Sequence, residues 1–428
     1  MTIRYGIIGT GMMGCEHIRN LVAMDDVDIT AVADPNEKPR RWASKICGDR
    51  FSPRIHENYQ DILDADDVDA IVIASPNYTH IDVMRDVFKT DKHVMLEKPM
   101  CTTLADAQEV NASAKTHEGI VWVGLEYRYM APIDALLEHL PAVGEIKMCT
   151  IREHRFPFLK KIENWNRFNR NTGGTLVEKC CHFFDLMNLA MGCEAVRVQA
   201  SGGQDVNHLD EKYQGETPDI LDNAFVIVDY ENGARACLDL CMFAEGSRFE
   251  QELVATGNQG KLECTVPGDE LIRCTRQYRD WTAEPIDPNP QILHTGLHHG
   301  ASYLEHVDFL AAIQNNSPVR VTAQEGMRSV AIGIGRALGI EAAGPADLRA
   351  LARFRHRDGR FVIVDRQRAL HGGVGVAHGI FVPGHEFLDD HGAVAERQRA
   401  AGLAVGLGLL AFGHRRMPRA DPAEITDR

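Results

Sequence analysis

Apolar and polar positions follow two different rhythms along the chain. In the first, apolar runs at Ile3–Ile8, Ile29–Ala33, Asp69–Ala74, His93–Leu96 and Ile120–Gly124 alternate with helical stretches at Cys15–Met24, Glu37–Ile46, Asn58–Leu63, His80–Phe88 and Ala105–Thr116. Short runs rich in β-branched residues fit strands buried on both faces, and their alternation with helices predicts a parallel, doubly wound α/β sheet. Near Ala142 the rhythm changes. From Ile146 the strands are longer and follow one another, over Ile146–His154, Ala195–Gly202, Asn223–Asp229, Ala234–Met242, Glu250–Thr256, Lys261–Thr265 and Glu270–Gln277. Asn232-Gly233 reads as a hairpin turn between two of them. This series predicts an open, mostly antiparallel sheet, and helices at Cys180–Met191, Tyr303–Asn315 and Ala323–Leu338 make the second half an α+β domain.

A further change comes after Gly344. Residues 345–428 contain no Lys, Cys, Asn, Tyr or Trp and hold 13 Arg against 10 acids. The switch reads as a disordered or basic tail, or as a slip of the coding frame near Ile334, and no function is placed there. On this reading the chain divides into 1–126, 127–344 and the tail.

Composition then narrows the class. A formal net charge of −15 disfavours nucleic acid and anionic membrane surfaces as partners. No apolar run reaches the roughly 20 residues needed to span a bilayer. The first strand begins with no basic and then apolar leader before it. Eleven scattered cysteines without a C-x-x-C pair fit reduced, mostly buried thiols. The expectation is a cytoplasmic protein.

Candidate chemistry starts at Gly9-Thr10-Gly11-Met12-Met13-Gly14, between the first strand and the first helix, with Asp34 ending the second strand. Strand, glycine turn, helix, strand and acid together are the dinucleotide fingerprint of a Rossmann domain. Gly9 permits the tight turn, Gly11 lets a pyrophosphate approach the helix N-terminus, and Gly14 lets the helix pack on the strand. Asp34 stands where a carboxylate accepts ribose hydroxyls, which predicts NAD in preference to NADP; Lys38 and Arg40 are close enough to soften that preference. The loop Ser75-Pro76-Asn77-Tyr78-Thr79-His80 follows a strand at the edge where ligands of such sheets gather. Ser75, Pro76, Asn77 and His80 are therefore candidate cofactor contacts, as are Glu97 and Lys98 after the next strand.

Lys98 lies between Glu97 and Pro99. A lysine beside a cofactor can take or give a hydroxyl proton, more easily if burial lowers its pKa, and Glu97 is expected to pair with it. In the block Gly173 to Asp185, Glu178 and His182 are four apart and share one helix face, with Asp185 near the same stripe. Such a set suits a proton relay or polyol binding, and equally a divalent metal, although two further ligands are not evident. Tyr127 and Arg128, at the end of the last parallel strand, are placed facing substrate, and Trp165-Asn166-Arg167 as a lip over the site. The histidine-rich stretch His294, His298, His299 and His306 is read as a loop lining the substrate side, with no metal assigned.

These motifs, in this order, make the chain resemble the glucose–fructose oxidoreductase / inositol dehydrogenase / rhizopine-catabolism oxidoreductase family over about residues 1–340. The resemblance implies a Rossmann domain, a second domain whose open sheet mediates oligomer contacts, a nicotinamide cofactor, and reversible oxidation of a sugar, inositol or amino-cyclitol hydroxyl. It implies that Lys98 is the catalytic lysine, with His182 as, or beside, the general acid/base. Glu178, Tyr127, Arg128 and Asp185 are the substrate-side candidates. Glu178 departs from the aspartate usual four residues before the histidine, and the family's ending is not recognisable beyond Ile334. The expected protein is a homo-oligomer, dimer or tetramer. A dinucleotide-sensing regulator without catalysis and a glycoside hydrolase using NAD transiently are the rival readings.

Overall fold

The structure is a computed structural model and describes residues 1–335; the expected tail at 345–428 lies outside them. Six parallel strands, β1 (Ile3–Ile8), β2 (Val27–Ala33), β3 (Arg54–His56), β4 (Ala70–Ile73), β5 (His93–Glu97) and β6 (Val121–Gly124), form a sheet in the order β3-β2-β1-β4-β5-β6. The order reverses between β1 and β4, which opens a crevice at the carboxyl ends of the strands. β4 is buried at every position, as a strand covered on both faces must be. Only β3, three residues long and half exposed, carries no apolar run and was not foreseen.

The second sheet holds eight strands: β7 (Ile146–His154), β8 (Ala195–Gly203), β9 (Asn223–Tyr230), β10 (Arg235–Cys241), β11 (Gln251–Gly257), β12 (Gly260–Val266), β13 (Glu270–Thr275) and β14 (Trp281–Pro285). Their order is β14-β13-β12-β11-β7-β10-β9-β8, and every pair is antiparallel except β7 with β10. Gly233, at φ +78, turns the chain between β9 and β10 as the Asn-Gly pair predicts. Burial alternates strictly along β9: Ala224, Val226 and Val228 face the core, while Phe225 and Ile227 face outward. One face of this sheet is therefore open among the described residues.

The last two helices return to the first sheet. Ala301–Asn315 lies beside the helix Met12–Val22, where His306 meets His17, and Trp122 of β6 donates to Glu305 at 3.1 Å. Val123 N–H donates to Val321 O at 3.1 Å. The helix Ala323–Gly333 is fixed at its start by a reciprocal Thr322–Glu325 capping box.

Candidate active site

The glycine turn is built as a cradle. Gly9 has φ +85, and a Cβ there would meet the Ala74–Ser75 backbone at 2.6 to 2.7 Å. A Cβ on Gly14 would lie 2.0 Å from the Gly9 carbonyl oxygen, so the helix can pack this closely only without a side chain. A Cβ on Gly11 would meet nothing within 4 Å. That open space lies at the start of the helix Met12–Val22, whose first N–H groups have no side-chain cap and remain available to an anion. Asp34 accepts the N–H groups of Thr10 and Asn36, both at 2.9 Å, which fixes its carboxylate at the end of β2. Thr10 Oγ1 and Asn77 Nδ2 are buried with no partner. Open space, free helix N–H groups, a fixed acid and two orphaned polar atoms fit a dinucleotide.

Lys38 and Arg40 both have contacts away from the glycine turn. The Lys38 ammonium lies over the Trp42 ring at 5.1 Å, and Arg40 donates to Asp34 O and Pro35 O and pairs with Glu57. Ser75 Oγ lies 2.7 Å from Thr79 Oγ1, which tightens the loop after β4. His80 sits behind that loop. Its ring nitrogens lie 3.0 Å from Pro99 O and 3.1 Å from Ser75 O, and the ring is wholly buried, so it ties two loops together and its ring nitrogens are already occupied.

Glu97 corrects an expectation. Its side chain does not pair with the Lys98 ammonium; Oε1 lies 2.9 Å from His17 Nε2, and Oε2 accepts Lys98 N–H at 3.0 Å. His17 Nδ1 in turn lies 2.8 Å from His306 Nε2. Against the cost of burial, His17 and then Lys98 hold the Glu97 carboxyl down at about 2.

The candidate residues Lys98, Glu178 and His182 gather where a helix breaks. Glu178 ends the short helix Thr175–Glu178, and Cys181–Met191 begins after a turn, so Glu178 and His182 lie on two helices and not on one. The break frees the Glu178 carbonyl, which accepts from Lys98 Nζ at 3.3 Å. Burial alone would lower Lys98, but the Glu97 carboxylate, and Cys181 and Glu126 once they ionise, favour the ammonium and the net shift is upward. The expected lowered lysine is thus replaced by a firmly held ammonium. Burial, then Lys98 and Lys179, push the His182 imidazole well below its usual range, so it is neutral. Its ring stacks on Tyr127 at 4.0 Å between centroids. The Tyr127 hydroxyl accepts from Lys179 Nζ at 2.6 Å, and Lys179 pairs with Glu153 at 2.9 Å. Glu178 Oε2 is buried without a partner, and burial pushes this carboxyl up to about 7.

The sequence model of the oxidoreductase family's NAD-binding Rossmann fold matches residues 3–125, and that of its C-terminal alpha/beta domain matches residues 142–337. The chain belongs to the Gfo/Idh/MocA oxidoreductase family. Myo-inositol 2-dehydrogenase of Thermotoga maritima is 26% identical over 337 residues, 77% of this chain and 94% of that protein. An uncharacterised oxidoreductase of Bacillus subtilis is 29% identical over 244 residues, 55% of this chain and 65% of that protein. Among solved structures, a levoglucosan dehydrogenase in complex with NADH has a TM-score of 0.68 at 20% identity, over 78% of this chain and 95% of that one. The first domain of this oxidoreductase is accordingly an NAD-binding Rossmann domain.

Within the oxidoreductase, Arg128 and Asp185 bind each other. Arg128 donates twice to Asp185, at 2.6 and 2.5 Å, and once to Arg320 O at 2.6 Å, and its Nη2 lies 3.1 Å from Glu325. Both residues are buried, and the pair clamps the turn after β6 to the two helices, so their polar atoms are engaged within the protein. Tyr127 is likewise occupied by His182 and Lys179. Trp165 packs edge-on to Tyr78 at 6.3 Å, and Arg167 is buried against Glu211 and Phe158 O. Of the histidine-rich stretch, His298 enters the site, 3.5 Å from Glu126, while His306 joins His17. Among the described residues no group of three or more His, Cys, Asp or Glu has metal-holding geometry. Lys179, Glu153 and Glu126 were missed by sequence reasoning. Lys179 and Glu126 adjoin singled-out residues, but nothing in their own spacing marks them as buried.

Proposed function

We propose that the protein is an NAD-dependent dehydrogenase that oxidises a secondary hydroxyl of a sugar, inositol or amino-cyclitol. On this reading residues 1–126 hold the dinucleotide and 127–344 the substrate, in the cytoplasm. The observation that carries it is the meeting of a held ammonium, a neutral buried imidazole and an unpartnered carboxyl at Lys98, His182 and Glu178. Bound NAD supplies the hydride acceptor. Lys98 donates a hydrogen bond to the substrate oxygen and stabilises the charge that develops there. His182 takes the hydroxyl proton, a task that suits an imidazole kept neutral by burial. Glu178 accepts a neighbouring hydroxyl and orients the ring. Tyr127 keeps the His182 ring in place by stacking on it.

The Asp34 carboxylate, fixed by the Thr10 and Asn36 N–H groups, supports NAD over NADP, because it repels a 2′-phosphate, and Arg40 beside it is paired with Glu57. The test is purified protein with NAD and a panel of polyols and sugars, including myo-inositol and levoglucosan, followed by absorbance of the reduced cofactor and product identity. Reduced cofactor formed in step with a ketone supports the reading. A product cleaved at a glycosidic bond with no net reduced cofactor would replace it with hydrolysis, and binding without turnover would make it a sensor.

A further inference from the structure

We infer that Glu126 is the proton reservoir behind His182: it receives the substrate's hydroxyl proton from the imidazole during oxidation and returns it during reduction. The inference rests on the proposed dehydrogenase reading and adds to it a residue that the motifs do not mark.

Glu126 opens the short helical turn Glu126–Tyr129 just after β6 and is buried. Its Oε1 lies 3.7 Å from His182 Nε2 and 3.5 Å from His298 Nε2, so one carboxylate oxygen faces two imidazoles. That oxygen is buried and has no hydrogen-bond partner. An orphaned carboxylate oxygen costs stability unless it is used, and distances of this kind close to hydrogen bonds when substrate fills a site. No lysine or arginine lies within ion-pair distance of Glu126 among the described residues, so nothing locks it in one charge state.

The groups facing Glu126 come from every side. Glu97 and Lys98 face it from the end of β5, Tyr127 from the same short turn, Lys179, Cys181 and His182 from the broken helix, His298 from the loop and Glu305 from Ala301–Asn315. Burial and then Glu97 raise its carboxyl to about 8, with Lys98 pulling back. Below that pH it carries a proton; above it, it is a carboxylate able to take one.

The balance for oxidation is closed. The substrate O–H bond breaks and its proton goes to His182, the two electrons of the C–H bond leave with the hydride, and the His182 proton passes to ionised Glu126. Oxidation should therefore rise with pH through about 8, and reduction should fall over the same range, because reduction needs the protonated carboxyl.

The test compares wild type, Glu126→Gln and Glu126→Asp, all with NAD. One readout is turnover against pH on myo-inositol, or on whichever panel polyol is oxidised fastest. The other is NMR of isotope-labelled histidine, with the His182 signal assigned by its loss in His182→Asn. In wild type the turnover step and an inflection of the His182 signal should coincide. Glu126→Gln should remove both and lower turnover on the alkaline side by about 10²-fold, while NAD affinity and thermal unfolding stay unchanged. Glu126→Asp should keep a shifted step. A Glu126→Gln enzyme with the wild-type step and inflection would overturn the inference, as would a Glu126→Asp enzyme as flat as Glu126→Gln. If wild type oxidises no polyol, the dehydrogenase reading fails separately. The His182 inflection then decides alone: its loss in Glu126→Gln supports proton sharing, and its persistence overturns it.

Discussion

Single residues in this site owe their chemistry to neighbours from distant segments. Lys98 is visible in the sequence as the lysine after a buried strand, but its charge state is not. Cys181 and Glu126, whose ionisation favours the ammonium, arrive from two other elements. Glu178 behaves similarly, since its carboxyl is raised to about 7 by burial that only the folded chain creates. It is neutral below that pH and a carboxylate above it, and only the carboxylate accepts well from a substrate hydroxyl. KM for the polyol is therefore expected to fall as pH rises through about 7. Glu178→Gln should abolish that fall and raise KM about 10- to 100-fold, the worth of one hydrogen bond to a charged group, about 1.5–3 kcal/mol. Steady-state KM against pH for both proteins decides it. The same pH dependence in both would remove Glu178 from the substrate contacts.

At the scale of elements the glycine turn makes two opposite predictions from neighbouring positions. Gly14→Ala would put a methyl group 2.0 Å from the Gly9 carbonyl oxygen, so the helix must shift, and both thermal stability and NAD affinity should drop. Gly11→Ala meets open space, so stability should hold while the added methyl occupies the approach of the pyrophosphate, and NAD affinity alone should fall. Thermal unfolding and calorimetric titration with NAD on the two variants separate these cases; equal loss of stability would show that the space over Gly11 is not a ligand's. These elements were legible because an apolar run, a glycine turn and a helix are local. β3 and β14 were not: β3 is short, and β14 is an exposed edge strand in which no residue is fully buried. The break between Glu178 and Cys181 was hidden because the residues there are ordinary helix formers. The Arg128–Asp185 clamp was not legible for a related reason, since a buried ion pair and a substrate-facing pair have the same letters.

Across the whole molecule, the outward face of the second sheet presents Phe225, Ile227 and Met148, with Phe225 60% exposed. Apolar residues at regular sheet spacing on an open face are the mark of a contact surface, and we expect it to pair copies of the chain. Phe225→Glu should lower the mass measured by sedimentation without loss of NAD binding; an unchanged mass would place any oligomer contact elsewhere. The central claim, that this fold carries out dehydrogenation at Lys98 and His182, has a more direct test. Lys98→Met removes the ammonium and keeps much of the stem. Turnover of the best polyol and NAD affinity, measured together on this variant, should show turnover reduced by at least about 10²-fold and NAD affinity close to wild type. A Lys98→Met enzyme that keeps most of its turnover would contradict the mechanism.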